Sequence, residues 1–299
     1  MMDFSKTFIS IRTRTALQIY DLAILVCVEY FKPLLALLAI GAFPFILVDC
    51  LLIGWLATDY KDFRYFYWVM FLLVVSQAQF ATVFMTHYLG QAMFFGRPKI
   101  STTVKDVLRA GFYFHWLHGG VRMVVPVLIC CFFLSRSMAL GAFDRYLYLF
   151  LYLPALVACG LSFRMFRPFV SEILLLEKTP LKSNNENVVC FHRRSRSLHY
   201  RQGAVEGIFG QGFASFLLGL FLGLGVYAGL LQLDKILNIQ ANSEWSYAAW
   251  YWLVALWLTV GFLCVARFLF YIDTRIRQEG WGVELRMRSE SQRISEMGI

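Results

Sequence analysis

"WSYAAWYWLVALWLTVGFLCVARFLFYIDTRIRQEG", residues 245–280, decides the fold class. Up to Tyr271 it is a long apolar run; beyond Tyr271, charges of both signs crowd together. About 20 apolar residues rising ~1.5 Å each cross the roughly 30 Å hydrocarbon core of a bilayer, so 245–271 reads as a transmembrane helix. The charged continuation, 272–299, reads as a cytoplasmic amphipathic tail.

Five more runs have the same character: 33–57 ("PLLALLAIGAFPFILVDCLLIGWLA"), 65–94, 121–140, 146–165 and 208–231. Composition agrees, since 59% of the 299 residues are hydrophobic and only 16% are charged, against about 25% charged in soluble domains. Aromatic residues, 17% of the chain, suit the lipid–water interfaces. These runs are too long and too uniformly apolar for the roughly ten-residue alternating strands of an outer-membrane barrel. The expectation is an all-α polytopic membrane protein with six transmembrane helices, forming one membrane domain over 1–299. Its longest polar stretch is too short to build a separate core.

Orientation follows from Lys and Arg. With the N-terminus in the cytoplasm, 23 of the 28 fall on the inner side, leaving only Lys61, Arg64, Arg136, Arg145 and Lys235 outside. Such a bias puts both termini in the cytoplasm. The net charge of +9 then faces anionic lipid headgroups, and no nucleic acid is needed to explain it. The start of the chain lacks a small-residue cleavage site, so no removable signal peptide is expected.

Two apolar segments read as interfacial rather than spanning. Residues 15–31, "TALQIYDLAILVCVEYF", are interrupted by Asp21 and Glu29 and leave no room for a loop before Pro33. Residues 101–117, "STTVKDVLRAGFYFHWL", open on the cap formers Ser101 and Thr102. They set Val104, Val107, Leu108, Gly111 and Phe112 on one face and Lys105, Asp106 and Arg109 on the other. In 164–201, a helix continues to near Thr179–Pro180, "KSNNEN" forms a loop, and "FHRRSRSLHYRQ" returns as a basic helix carrying Arg193, Arg194 and Arg196.

Few residues suggest chemistry. The seven cysteines show no CxxC spacing and read as small apolar side chains. His115 and His118 lie three apart, with no nearby carboxylate or thiol to complete a metal set. Asp49 in the first span, with Gln77, Gln79 and His87 in the second, either lines a polar path or makes interhelical hydrogen bonds that fix packing. Ser215, Gly219 and Gly223 form a small-xxx-small row suited to close helix packing, and Gly225 and Gly229 a second. Nucleotide-binding loops, nucleophile elbows and HExxH motifs are all missing from the sequence, so neither a cofactor nor an enzyme activity is expected.

The closing stretch holds more information. Asp273 with Arg277, Arg275 with Glu279, and Glu284 with Arg288 stand at i,i+4 and suit ion pairs. Trp281 reads as an interface anchor. Arg275 and Arg277 have fork geometry for carboxylates, with Glu172 and Glu177 of "SEILLLEK" as acceptors.

The run Tyr271, Asp273, Arg275, Arg277, Glu279, Gly280 resembles the closing motif of bacterial six-helix proteins of the glycerophosphoryl diester phosphodiesterase membrane-domain group. The helix at 101–117 and the segments "RPFVSEILLLEKTP" and "RRSRSLH" are similar to parts of its members. The resemblance implies six helices in a bacterial plasma membrane. It implies no phosphodiesterase activity, which belongs to a separate soluble domain without a counterpart in these residues. The function expected is non-enzymatic: a scaffold or complex subunit docking protein partners at its cytoplasmic face. The alternatives are a transporter or channel working through Asp49 and the second span, and a membrane-embedded enzyme acting on lipid.

Overall fold

The computed structural model describes residues 14–53, 63–94, 96–110, 169–177, 179–180, 189–200, 205–237 and 245–279. These residues are almost entirely helical: α1 (Ala16–Glu29), α2 (Phe31–Ile53), α3 (Phe63–Ala81), α4 (Val83–Phe94), α5 (Ile100–Arg109), α6 (Val170–Leu176), α7 (Phe191–Tyr200), α8 (Val205–Leu237) and α9 (Trp245–Glu279). Four segments are long and apolar enough to cross a membrane: Phe31–Leu51, Val69–Met93, Gly212–Leu237 and Ala248–Gln278. They match four of the six expected spans. The other two, 121–140 and 146–165, lie outside the described residues, as do His115, His118, the "KSNNEN" loop and the tail beyond Glu279.

Boundaries differ where local chemistry overrides hydropathy. The second span is two helices, interrupted at Thr82. There the Thr82 hydroxyl donates to the Ala78 carbonyl at 2.7 Å and the Thr86 hydroxyl to the Thr82 carbonyl at 3.1 Å. Side-chain hydroxyls that bond back to the previous turn loosen a helix in this way. The helix of the fifth expected span, α8, runs to Leu237, six residues past the expected end. The last helix continues unbroken past Tyr271 to Glu279, and its charges there meet partners on its own and neighbouring helices.

α9 is the central helix, packing against α1, α2, α3, α4 and α8. Glycines set the closest approaches. A Cβ on Gly41 of α2 would sit 2.1 Å from the Ala81 carbonyl oxygen, and one on Gly90 of α4 2.2 Å from a Leu176 methyl. The predicted small row on α8 packs within this chain: Gly219 lies against Leu263 of α9 and Gly223 near Thr259, whereas Gly225 and Gly229 face open space. α8 is otherwise peripheral, with only 6% of its apolar window buried.

α1 begins in a capping box that the sequence reading passed over. Thr15 Oγ accepts from the Gln18 amide and the Gln18 side chain accepts from the Thr15 amide. It buries Ile19, Ala23 and Val26 and exposes Leu17, Ile24, Leu25 and Val28, so both faces are apolar. α5 starts one residue before Ser101, and the Thr102 and Thr103 hydroxyls donate to the Lys99 carbonyl instead of capping the helix. Its buried residues are Thr103 and Val107. Leu108, expected on the same face as Val107, is 63% exposed, because it stands about 100° round the helix from the buried Thr103–Val107 row.

Candidate functional site

Parts of α1, α6, α7 and α9 meet in one cluster of ion pairs. Arg267, Tyr271 and Arg275 follow at four-residue intervals and so form one stripe on α9, with side chains about 6 Å apart along the axis. α6 and its C-cap present Glu172 and Glu177 to that stripe, five residues apart. Arg267 Nε donates to Glu172 Oε1 at 2.9 Å, and Glu172 is fully buried. Its Nη2 reaches the Thr86 hydroxyl at 3.2 Å, which ties α4 to the same point.

Glu177 gathers three partners. The Tyr271 hydroxyl donates to Oε1 at 2.7 Å, Arg275 Nε lies 3.5 Å from Oε1, and Arg194 of α7 grips both oxygens, Nε to Oε2 at 2.6 Å and Nη2 to Oε1 at 2.9 Å. The bidentate fork gives this pair direction as well as charge. The guanidinium of Arg275 also sits 5.8 Å from the centre of the Tyr271 ring. The Gln278 amide donates to the Leu198 carbonyl at 2.7 Å, a second tie between α7 and α9.

Asp273 and Arg277 occupy the other side of α9 and hold the start of α1. Asp273 accepts from the Arg14 amide at 2.9 Å and from Arg277 Nε at 2.7 Å, and Arg277 Nη2 donates to the Arg14 carbonyl at 2.5 Å. α1 is also pinned at its far end, where Glu29 pairs with Arg97 and the Arg97 guanidinium lies over the Tyr30 ring. Burial, with Cys264 adding to it, pushes the Cys27 thiol on α1 up to about 11, so it stays protonated near neutral pH.

Of the acceptors expected for Arg275 and Arg277, Glu177 does receive Arg275, but Glu172 pairs with Arg267, and Arg277 turns to Asp273 on its own helix. Glu279 closes α9, and its side chain lies outside the described residues. On α7, Arg194 points inward, whereas Arg193 and Arg196 lie on the exposed face. Sequence reasoning missed Arg267 and counted it only as one more inner-side arginine. The signal was present: a guanidinium inside an apolar run demands a buried carboxylate.

The candidate intramembrane polar residues do not converge. Asp49 is fully buried and accepts from the Gln77 amide at 2.6 Å, joining α2 to α3. Gln79, two residues on and so on the opposite side of α3, lines a cavity of about 270 Å³ between α3, α8 and α9. His87 lies on α4 near Gln91, at 3.1 Å, and Asp106, at 3.8 Å. Among the described residues, one continuous path through all four is not formed.

In the first pair, Asp49 Oδ2 and Gln77 Oε1 are buried with no hydrogen-bond partner among the described residues. Asp49→Asn would replace the unpartnered Oδ2 with an amide donor beside Gln77 Oε1, an acceptor that lacks one. Its melting temperature in detergent should equal or exceed that of the native chain. Asp49→Ala, which strands the Gln77 amide, should lose about 1–3 kcal/mol. A large loss in Asp49→Asn with normal expression would require a role for the charge itself.

Compared with known proteins, the chain matches no family model, no curated protein and no solved structure.

Proposed function

We propose that this chain is a non-enzymatic subunit or scaffold of a bacterial plasma-membrane complex. It spans the bilayer six times with both termini in the cytoplasm, and docks a protein partner on its cytoplasmic face. α1 and α5 lie at the inner membrane surface among anionic headgroups. The observation that carries the reading is the mounting of α7. One face is fastened to α6 and α9 through Arg194 and the Leu198 carbonyl, while His192, Arg193 and Arg196 face outward. A basic face on a fixed helix suits an acidic partner surface, because little side-chain or backbone order has to be gained on binding.

Arg193→Glu reverses a charge on this face and leaves the Arg194–Glu177 and Gln278–Leu198 ties in place. Purification from native membranes should then recover the chain at normal yield with its co-purifying protein lost. Retention of that protein at native stoichiometry would sink the docking role of α7.

The transporter reading keeps one observation, the buried Asp49–Gln77 pair. The separation of Gln79 and His87 from that pair weakens it.

A further inference from the structure

We infer that the cavity between α3, α8 and α9 holds one acyl chain of a lipid from the cytoplasmic leaflet. The inference goes beyond the docking role and rests on these helices crossing the membrane in the proposed orientation. Val75, Ala78, Gly219, Leu220, Leu256 and Val260 supply most of an apolar wall. Along α9 the wall runs from Leu256 to Phe270, roughly 21 Å at ~1.5 Å per residue, more than the ~15 Å half-thickness of a hydrocarbon core. The volume of about 270 Å³ falls just below the ~300 Å³ at which sites for drug-sized ligands begin. A single chain fits that size better than a whole two-chain lipid.

The polar groups in the wall have partners of their own. The Thr82 and Thr259 hydroxyls donate to carbonyls of their own helices, at 2.7 and 2.8 Å. Arg267 is engaged by Glu172 and Thr86. What remains for an occupant is hydrocarbon contact, and an apolar cavity stays dry unless an apolar ligand enters.

Aromatic contacts flank both ends. Outward, Tyr67, Tyr227 and Trp252 pack edge-to-face, with ring centres 5.4 to 6.0 Å apart, and the two tyrosine hydroxyls bond at 2.8 Å. At the cytoplasmic end Tyr20 of α1 bonds Ser215 at 2.7 Å and packs edge-on against Phe270, 5.4 Å away, and both of those residues line the cavity. The side is open at Leu220, which lines the cavity and is 37% exposed. A chain therefore enters sideways from the bilayer, not from water.

The test is photolabelling of the full chain in detergent with a long-chain fatty acid carrying a diazirine near its methyl end. Labelling should be saturable, competed by the unlabelled acid, and concentrated on cavity residues of α3, α8 and α9. Ala78→Phe, which fills the cavity, should reduce it about tenfold, equivalent to ~1.4 kcal/mol of affinity. Gly225→Phe should leave it unchanged, because that glycine of α8 faces open space. Labelling that resists competition, or that spreads over exposed Phe213, Phe221 and Leu233, overturns the inference, as does undiminished labelling of Ala78→Phe. Competition and site mapping on the native chain decide the matter even if Ala78→Phe fails to fold.

Discussion

Glu172→Leu is expected to destabilise the protein by about 3–5 kcal/mol, because it strands the Arg267 guanidinium in a buried site without its counter-charge. Glu172 is fully buried, the Arg267 side chain is 19% exposed, and the Thr86 hydroxyl that remains beside Arg267 is neutral. Arg267→Leu should do similar harm by stranding the carboxylate. The double variant Glu172→Leu with Arg267→Leu should regain most of the loss, since an apolar pair of comparable volume removes both desolvation penalties. Thermal melting of the four proteins in one detergent forms the cycle. Additive losses in the double variant would mean that the two side chains do not act as a pair.

Glu177→Ala should give the second-largest effect, about 2–3 kcal/mol. Its three partners lose a charged acceptor, but Arg194 and Arg275 keep some access to water, at 20% and 15% side-chain exposure. Glu177→Gln should fall well short of that loss by keeping an acceptor for Tyr271 and giving up the charge. The damage should be local. Amide exchange in α7 should quicken most, because α7 loses its fork to Glu177 while the Gln278–Leu198 tie to α9 remains. Unchanged protection of α7 in Glu177→Ala would count against that carboxylate as its anchor.

The helical class and the positions of four apolar segments were legible because hydropathy over about 20 residues reports directly on burial in hydrocarbon. The pairing of Asp273 with Arg277 was legible because it is local, one turn along one helix. The acceptor of Arg275 could be narrowed to Glu172 or Glu177 from charge and depth. Choosing between them needed the register of α6 against α9, which hydropathy does not encode. For the same reason Arg267 escaped notice: its partners Glu172 and Thr86 lie 95 and 181 residues away in sequence. The polar residues of the second span misled in the opposite direction. Spacing alone does not reveal that Gln77 and Gln79 face different neighbours, or that the span breaks at Thr82. Gly219 and Gly223 signalled a tight helix contact, but only the fold identifies α9 as the helix they meet.

The central claim is that one face of α7 is fastened to α6 and α9 and the other is an exposed docking face. Arg193 and Arg194 are adjacent in sequence but about 100° apart around the helix, Arg193 exposed and Arg194 turned to Glu177, so their thermal melting in native-membrane particles separates the two roles. Arg194→Glu should lower the melting temperature by an amount comparable to Glu177→Ala, because it sets two carboxylates against each other. Arg193→Glu should melt with the native chain. Equal melting of the two variants would contradict the account and leave α7 as a charged surface helix with no fixed face.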